Sequence, residues 1–593
     1  MVKNKEKMNR FKIRLHYYLA FILLLHSLFF VVYWLSVGSF RPAVDQFLGD
    51  LIGVHFSYTT VVIVLYSLVA FWSLMRFIRL RLAGRDGVWK PSAVSWIYFG
   101  VWILSLVGVY GGFWFILQQN PSQKGVLIHL LNLARLVGDV VIFLFVASML
   151  RRLILYLRRQ LASKQSARWP WTAAIIAVLV ALVAVWLVPA IFPPNWAYQG
   201  DLPTRPALIA HRGASMLAPE NTLAAGELAA ANQALGFETD VRISLDGVPF
   251  LMHDDTLART TNVAEVFPDR VNDDASSFTM QELKQMNAGL WFIQTDPFGT
   301  INEGLVSQSQ LGINQGQTIP TLEEALNMVQ ENGMVVLFDM REPSQQHPFY
   351  EEFFDIVLRT CLESGLNGNV WFLADKEHLE TLLNEAPQMT RVVGVSSADL
   401  PAPNRLLDQH YEIVNVDTGI TTREIRAYRD QGLGVNVYTI DEPWLFSQFW
   451  LSGVTSVTTN NIHTFSQLEQ PYLNLSYARY MLFWGLLGIV VAIWLAASQP
   501  EPEPVPASEQ VMPDLRDFVT EDDDMVDTTQ PPVINQGPEP VIETEPNPDS
   551  PEEQVSPTNL GLEPGDEQSA EDSQAENPAD ELDGKDDEST ADA

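Results

Sequence analysis

The amino-acid sequence predicts an α/β protein: a TIM (β/α)8 barrel with a small insertion, placed within a six-helix transmembrane bundle and followed by a disordered acidic tail. Three observations support this fold class. Short β-branched runs alternate with amphipathic segments over residues 207–458, six apolar runs are long enough to span a membrane, and the chain after residue 497 has scarcely any aromatic side chains. Alternating strands and helices indicate a parallel sheet, and about eight such units suit a closed barrel better than an open sheet.

The apolar runs are each about 20 residues long, which is the length that crosses the hydrocarbon core of a bilayer as a helix. They lie at 17–38, 53–75, 94–117, 127–150, 172–193 and 478–497. The first follows a basic N-terminus (1–16) but is too long for a signal peptide and lacks a small-residue cleavage site. The sequence therefore predicts five spans within 17–193, an outer domain at 196–477, a sixth span and a tail at 498–593.

The basic residues of the short loops predict the orientation of this bundle. Lys and Arg concentrate in the N-terminus, in the loop after the second span and in the loop after the fourth, whereas the loops 39–52 and 118–126 carry one basic residue each. Because basic loops stay on the cytoplasmic side, we expect both termini in the cytoplasm and residues 194–477 outside, in an integral protein of the plasma membrane.

Charged residues elsewhere carry less information. The formal net charge of −34 comes mainly from the tail, so it does not argue for nucleic-acid binding. The tail is too polar to bury a core and is predicted to be disordered, either as a site for a cytoplasmic partner or as a solvating segment. Arg135 and Asp139, four residues apart in the fourth span, are interpreted as a neutralising pair rather than an ion pathway.

The barrel prediction rests on nine apolar or β-branched runs and on the amphipathic segments between them. The expected strands lie at 207–210, 236–241, 248–252, 334–338, 370–373, 391–395, 411–416, 434–439 and 454–458. The expected helices lie at 222–234, 280–287, 321–332, 349–364, 377–385, 421–431 and 443–452. The less regular stretch 258–316 interrupts this alternation and is predicted to be an insertion over the catalytic rim.

Acidic side chains stand at the C-terminal ends of the expected strands, where TIM barrels place their chemistry. Glu238 and Asp240 are two residues apart, so both point to one face of a strand and can share a hard cation. Asp339 ends another strand and is a candidate third ligand. Arg341 would point the same way, towards an anionic substrate. A single Glu-x-Asp pattern carries little weight, and the preceding His-Arg-Gly motif makes the metal site the favoured interpretation.

Two histidines lie at strand ends on either side of that carboxylate pair. His211 and His253 are candidates for general base and general acid, because histidine titrates near neutral pH. Arg212 presents a planar fork suited to two phosphate oxygens. Glu220 could contact His211 or the metal, and Asn221 could cap the following helix; a purely structural role for this pair is equally favoured.

These motifs, in this order and spacing, resemble those of the glycerophosphodiester phosphodiesterases, which are TIM barrels. They are His-Arg-Gly at 211–213, Pro-Glu-Asn-Thr at 219–222, Glu-Thr-Asp at 238–240 and His-Asp at 253–254. The resemblance covers roughly 206–465, including a segment at 276–289 that is similar to the family's inserted segment. The sequences at 237–241, 246–254, 259–264 and 443–446 look most like the six-span animal branch, whose barrel lies outside the cell between the fifth and sixth spans.

The resemblance implies a role for each matching position. His211 would be the proton acceptor, His253 the proton donor and Arg212 a phosphate ligand. The calcium or magnesium ion of the family would be bound by Glu238, Asp240 and Asp339.

The sequence departs from the general family pattern at three places. Asp339 and Arg341 stand where the family usually has Glu and Lys, and Thr459-Asn460 stands where Thr-Asp is usual. Both changes are similar to those of the six-span branch. Tyr438 stands where a Trp usually lies near the substrate, which leaves the preference for the leaving group open.

The sequence thus predicts metal-dependent hydrolysis of a glycerophosphodiester at the outer membrane face, giving either an alcohol and glycerol phosphate or glycerol and a phosphorylated alcohol. Cleavage of a lipid-derived phosphodiester, such as a lysophospholipid or a glycosylphosphatidylinositol anchor, is the alternative, because tethering at both ends keeps the barrel near the outer leaflet. A non-catalytic signalling protein is less favoured, since a binding module would not need both histidines and both strand carboxylates.

Overall fold

The computed structural model describes residues 2–86, 121–162, 169–194, 196–472 and 474–498, together with isolated residues between 93 and 118. The predicted third span at 94–117 lies largely outside the described residues. The predicted tail lies outside them after residue 498.

Five helices in this part of the chain are long and apolar enough to cross a membrane. They are Phe11–Ser36, Tyr58–Leu82, Gln123–Arg159, Ala173–Ile191 and Tyr477–Ala496. They correspond to the first, second, fourth, fifth and sixth predicted spans. The predicted charged pair in the fourth span is formed, with Arg135 Nε 3.4 Å from Asp139 Oδ2.

Eight parallel strands close into the predicted barrel. The described residues contain eleven strands in all: β1 (Ala197–Tyr198), β2 (Ala207–His211), β3 (Gly236–Ile243), β4 (Pro249–Leu251), β5 (Val335–Met340), β6 (Val370–Leu373), β7 (Thr390–Val395), β8 (Ile413–Asp417), β9 (Gly434–Tyr438), β10 (Ser456–Thr459) and β11 (Leu475–Ser476). Neighbours in the barrel follow the order β2-β10-β9-β8-β7-β6-β5-β3, and β3 pairs with β2 to close it. The short β1 and β11 pair with each other where the chain enters and leaves the domain.

One expected strand is not part of the barrel. The run at 248–252 forms β4, which pairs antiparallel with β3 through Val241 and Leu251. The prediction that its end is a barrel-strand end was therefore wrong. The antiparallel course instead returns the chain to the rim, where Met252 N donates to Asp240 O at 3.0 Å. His253 reaches the site by this route.

Helices cover the barrel; six of the seven predicted ones are shorter than expected, and Pro443–Ser452 has the predicted bounds. Within the described residues the helices are Val2–Ser36, Arg41–Ile52, Tyr58–Asp86, Pro121–Ala162, Trp169–Ile191, Leu223–Ala231, Val263–Val266, Met280–Leu283, Leu290–Thr295, Gln308–Gln315, Leu322–Glu331, Phe353–Glu363, Leu379–Glu385, Pro403–Asp408, Thr422–Arg429, Pro443–Ser452, Ile462–Ser466 and Tyr477–Ala496. Helix Leu322–Glu331 begins with a capping box between Thr321 and Glu324, which satisfies two backbone N–H groups. Helix Pro403–Asp408 was not expected, because six residues with one buried side chain give too little periodicity.

Side chains alternate between the two faces of each barrel strand. On β5, Val335 and Leu337 belong to a cluster in the barrel interior with Ile209 of β2. Val336 and Phe338 belong to the larger core between strands and helices. Because successive side chains point to opposite faces, every second residue after Leu337 continues inward towards the mouth of the barrel.

The stretch predicted as an insertion has a small core of its own. Its short helices, together with 3-10 turns at Pro268–Arg270 and Ala275–Ser277, bury Leu257, Phe278 and Leu283 completely. These side chains form a cluster with Phe250 that is separate from the main core.

The barrel packs on the apolar helices through the segments that follow β8 and β9. Trp444 Nε1 donates to Ser36 O at 2.7 Å, at the end of the first apolar helix. His129 Nε2 contacts Thr418 O at 3.1 Å, and its ring centroid is 4.6 Å from that of Phe449. Residues of both parts contribute to one hydrophobic core. Experiments on the site are therefore best done with the full chain, since removing the helices would expose this interface.

Candidate active site

The inward positions at the carboxyl ends of three neighbouring strands bring the predicted residues together. His211 ends β2 and lies opposite Glu238 on β3, and Asp240 of β3 lies opposite Asp339 of β5. They surround a cavity of about 340 Å³. The lining residues are His211, Arg212, Glu238, Asp240, Leu337, Phe338, Asp339, Arg341, Leu373, Gly394, Asn415, Tyr438, Thr439 and Thr458.

A tight turn after β2 aims Arg212 into this cavity. Arg212 and Gly213 both have positive φ, at 53° and 85°. A Cβ on Gly213 would lie 2.6 Å from the backbone carbon of Ala225, so only glycine fits there. The amide of Arg212 donates to Glu238 Oε2 at 2.9 Å, which joins the turn to the carboxylate strand.

Two arginines hold Glu220 beside the cavity. Arg212 Nη1 donates to Glu220 Oε1 at 2.9 Å, and Arg259 Nη1 donates to Glu220 Oε2 at 2.9 Å. Burial opposes ionisation of Glu220, but the two guanidinium groups outweigh it and lower the pKa of the carboxyl. Glu220 therefore positions arginines, and the predicted contact with His211 is not formed.

Asn221 has a different role from the predicted one. The residue that caps helix Leu223–Ala231 is Thr222, whose side chain accepts from Ala225 N, so the assignment of the cap to Asn221 was wrong. Asn221 instead adopts a positive φ of 56°. Its Nδ2 donates to Asp240 Oδ2 at 3.0 Å and its Oδ1 accepts from Asp240 N at 3.2 Å. Asn221 thus fixes the orientation of the Asp240 carboxylate.

Asp240 is the most heavily paired carboxylate of the site. Arg341 donates to its Oδ1 from Nε at 3.1 Å and from Nη2 at 2.8 Å, and Arg212 Nε lies 3.2 Å from its Oδ2. Burial acts to raise the pKa of Asp240, but these cations and the amide of Asn221 outweigh it and lower the pKa. Asp240 is therefore ionised over the physiological range.

Glu238 and Asp339 experience the opposite balance. Burial is the main cause, and the negative charge of Asp240 the second, that raises the pKa of Glu238 to about 8. Burial also raises the pKa of Asp339, although Arg341 Nη2 lies 3.1 Å from its Oδ2. Three carboxylates that crowd one cavity in this way provide the hard oxygen ligands that Ca²⁺ and Mg²⁺ prefer, and a cation would offset their repulsion.

These carboxylates are not yet arranged as a ligand set. Among the described residues, no three His, Cys, Asp or Glu side chains are grouped so that they could hold a metal ion as they stand. The hydrogen bonds of Arg341 to Asp240 and its contact with Asp339 explain this, because the guanidinium occupies the space between two of the candidate ligands. The donor chemistry fits a hard divalent cation, and binding would require Arg341 to move.

Arg341 should therefore compete with the cation. Replacing Arg341 with alanine removes a positive charge from the carboxylate cluster, and we expect affinity for Ca²⁺ or Mg²⁺ to rise roughly tenfold, which corresponds to about 1.4 kcal/mol. Isothermal titration calorimetry on the purified full chain would measure this. Arg270→Ala is the matched control, since Arg270 pairs with Asp273 and Glu282 in the insertion. Equal or weaker binding in the Arg341 variant would contradict the competition.

The hydrogen bonds of His211 define its protonation state. His211 Nδ1 lies 2.8 Å from Asn460 Oδ1. The amide of Asn460 is oriented because its Nδ2 donates to Asp441 Oδ2 at 2.7 Å, so its oxygen faces the ring and Nδ1 must carry the proton. Loss of solvent contact is the main cause, and the positive charge of Arg212 the second, that lowers the pKa of His211 to about 4. The ring is therefore neutral at pH 7, with an unprotonated Nε2 available as a base.

His253 is held by a charged partner instead. Its Nδ1 lies 2.7 Å from Asp254 Oδ1, and Arg259 Nε donates to Asp254 Oδ2 at 2.6 Å. Burial opposes ionisation of Asp254, but His253 and Arg259 outweigh it and lower the pKa of the carboxyl. The ionised carboxylate accepts from Nδ1–H, which leaves Nε2 of His253 as the position that can deliver a proton.

The structure thus assembles most of the predicted residues and adds others. Tyr438 lines the cavity, and burial raises the pKa of its phenol, which keeps the hydroxyl protonated. His253 does not line the cavity but lies beside Asp240. Sequence reasoning did not identify Arg259 or Asp441 as site residues. Asp441 comes three residues after β9, so the rule that selected Asp339 could have found it.

Comparison with known proteins identifies a family that the chain matches. The model of the glycerophosphoryl diester phosphodiesterase family matches residues 211–464. Mouse glycerophosphoinositol inositolphosphodiesterase GDPD2 is 34% identical over 319 residues, covering 54% of this chain and 58% of that protein. Human glycerophosphodiester phosphodiesterase domain-containing protein 5 is 36% identical over 334 residues, covering 55% of this chain and 54% of that protein. The matches thus span little more than half the length of these relatives.

Among solved structures, a phosphodiesterase from Oleispira antarctica in complex with sn-glycerol-3-phosphate is similar to this chain, with 25% identity and a TM-score of 0.35, covering 44% of this chain and 95% of that one. The family match contains every residue that lines the cavity. Residues 211–464 of this chain therefore belong to the glycerophosphoryl diester phosphodiesterase family.

Proposed function

We propose that this chain hydrolyses glycerophosphodiesters at the outer face of a membrane with the help of a divalent cation. The observation that carries the proposal is the pair of histidines beside one carboxylate-lined cavity. His211 presents an unprotonated Nε2, and His253 is oriented by an ionised carboxylate. A ring with a free Nε2 and a second ring oriented by a carboxylate can act as base and acid in one reaction.

The cation would be held by Glu238, Asp240 and Asp339. Members of this family generally use divalent cations, and both Ca²⁺ and Mg²⁺ suit three carboxylates. When bound, the ion would offset charge on the phosphate oxygens and polarise the phosphorus centre.

The side chains of this chain account for the proton transfers. Nε2 of His211 accepts the proton of the attacking hydroxyl, which belongs either to the substrate's own glycerol, giving a cyclic intermediate, or to water. Nε2 of His253 donates a proton to the departing alcohol oxygen. Arg212 and Arg341 supply positive charge at the cavity, where negative charge develops on the phosphoryl oxygens. The protonated phenol of Tyr438 can donate a hydrogen bond to the alcohol portion.

Cleavage of a lipid-borne phosphodiester is the second candidate. The segment that follows β9 leads from the catalytic rim directly to the end of the first apolar helix, where Trp444 contacts Ser36. The rim therefore lies close to the end of a helix long enough to span the membrane. A lysophospholipid or a glycosylphosphatidylinositol anchor could approach the rim from the outer leaflet.

We also propose that the barrel lies outside the cell at the plasma membrane, with both termini in the cytoplasm. The basic loops support this orientation. The acidic tail is then available to a cytoplasmic partner. Protease protection of the barrel in intact cells, compared with permeabilised cells, would test the orientation, and an inaccessible barrel in intact cells would contradict it.

The activity can be tested on the purified full chain with a substrate panel of glycerophosphocholine, glycerophosphoinositol and lysophosphatidylcholine. Glycerophosphoinositol is included because the name of the mouse relative specifies it for that protein. We expect hydrolysis that a chelator abolishes and that Ca²⁺ or Mg²⁺ restores. Identification of the phosphorylated product would show which side of phosphorus is cleaved. Absence of turnover on every substrate with either metal would contradict the proposal.

A further inference from the structure

Asp441 lies behind the catalytic cavity and contacts no reacting group. Its Oδ1 accepts from Asn460 N at 2.7 Å, and its Oδ2 accepts from Asn460 Nδ2 at 2.7 Å. Thr459 Oγ1 is 3.3 Å from Oδ1. Both carboxylate oxygens are thus directed at donors of the loop that follows β10.

These two hydrogen bonds leave Asn460 only one orientation. Since Nδ2 of Asn460 is directed at Asp441, Oδ1 faces the other way and accepts from His211 Nδ1 at 2.8 Å and from Ser215 Oγ at 2.6 Å. Rotating the amide would place an NH₂ group against Ser215 and His211 and an oxygen against a carboxylate. This orientation of the Asn460 amide favours a His211 ring that carries its proton on Nδ1.

We propose that Asp441 is a positioning residue for His211, which acts through Asn460 to hold the ring in the tautomer with an unprotonated Nε2. The inference rests on the proposed function, in which that nitrogen is the base.

The neighbours of Asp441 hold it in place from the membrane side. Glu442 Oε1 accepts from both the amide and the hydroxyl of Ser39 at 2.7 Å each. Trp444 donates to Ser36 at the end of the first apolar helix. Asp441 is thus fixed between the loop after β10 and the apolar helices, which gives the orientation of His211 a rigid support.

Asp441→Asn tests the proposal with almost no change in shape. The NH₂ group of the new amide at 441 would face the NH₂ group of Asn460, so two donors would oppose each other. Rotation of the Asn460 side-chain amide removes this conflict by turning its oxygen towards residue 441. Nδ2 of Asn460 then faces Nδ1 of His211, and the proton moves to Nε2. We expect kcat to fall about 100-fold or more, while KM changes by less than about twofold and the thermal unfolding temperature stays close to that of the wild type.

The exchanged pair, Asp441→Asn with Asn460→Asp, should restore activity. The carboxylate at 460 accepts both from the amide at 441 and from His211 Nδ1, which returns the original tautomer. We expect kcat to recover to within about tenfold of the wild type, whereas Asn460→Asp alone places two carboxylates against each other and stays impaired. Asp296→Asn is the matched control, because each carboxylate oxygen of Asp296 likewise accepts from an N–H group. The donors there are the backbone amides of Ile301 and Asn302 in the insertion.

The ¹⁵N chemical shifts of histidine in labelled full-length protein give a readout that does not depend on turnover. The His211 signal, identified by its loss in His211→Gln, should change from an Nδ1-protonated to an Nε2-protonated pattern in Asp441→Asn. Unchanged kcat and shifts in that variant, or failure of the exchanged pair to recover in a folded protein, would show that Asp441 only stabilises the loop. A wild type that shows the Nδ1-protonated pattern but hydrolyses nothing would overturn the proposed function and leave the tautomer control standing.

Discussion

His211→Ala is expected to lower kcat by a factor of roughly 10³, within the usual contribution of a general base. The ring is partly buried, neutral at pH 7 and aimed at the cavity, with Nε2 3.9 Å from Glu238 Oε2. No other histidine lines the cavity, so no neighbour among the described residues can take its place. Initial rates of glycerophosphocholine hydrolysis by the purified full chain, at saturating metal and substrate, would measure the loss.

The effect should be specific to this ring. His410→Ala provides the control, since His410 is exposed and lies before β8 at the opposite end of the barrel. Its hydrogen bonds with Leu407 and Arg391 are made by its backbone N–H and oxygen, not by its ring. The His211 variant should unfold at a similar temperature, because removing a partly buried ring that borders a cavity leaves most of the core intact. If kcat in His211→Ala stayed within about twofold of the wild type, His211 could not be the base.

The barrel itself was predictable because its strands have an unambiguous composition. The runs at 370–373 and 434–439 consist mainly of apolar, aromatic and β-branched residues and begin after Asn369 and at Gly434, and the strands observed there differ from the predicted ones by at most one residue. The run at 248–252 has the same composition but pairs antiparallel at the edge. Composition determines that a segment is extended and buried, whereas the partner strand depends on the course of the chain on either side.

The positions of the three candidate metal ligands were predictable for a related reason. Glu238, Asp240 and Asp339 occupy inward positions at strand ends, and both features can be read from spacing and periodicity. Their partners could not be read in this way. His211 and Asn460 are 249 residues apart in sequence, and Arg259 reaches Glu220 from an irregular loop of the insertion. Contacts between loops depend on the closed barrel, which no local pattern encodes.

The same limit explains why the contacts of Glu220 and Asn221 beside the cavity differ from the expected ones. Glu220 and Asn221 lie just before a helix, where Asn commonly caps and a carboxylate is free to face the site. In the structure the positive φ of Asn221 turns its side chain towards Asp240, and Thr222 takes the capping position. The hydrogen bonds of Asn221 to the buried Asp240 carboxylate contribute more to stability than a helix cap at this position would, because Thr222 already provides the cap.

His253→Ala should produce a loss that depends on the leaving group. With glycerophosphocholine, whose departing alkoxide needs a proton, we expect kcat to fall by a factor of roughly 10² to 10⁴. With a nitrophenyl ester of glycerol phosphate, whose leaving group departs as a stable anion, the loss should be less than about tenfold. Paired assays of the two substrates under identical metal conditions measure the ratio directly. The His211 variant should lose activity on both, because attack still requires a base.

This pair of substrates separates the two histidines in a way that a simple loss of activity cannot. Either ring could support the fold or the cation, and removing it would then lower both rates by the same factor. Loss of a proton donor slows only the cleavage of a bond whose leaving group must be protonated. The ratio of the rate losses on the two substrates therefore shows whether His253 acts in the departure of the leaving group. Equal losses on both substrates in His253→Ala would contradict its role as acid. They would indicate that the ring with its carboxylate partner Asp254 serves to hold the rim beside Asp240.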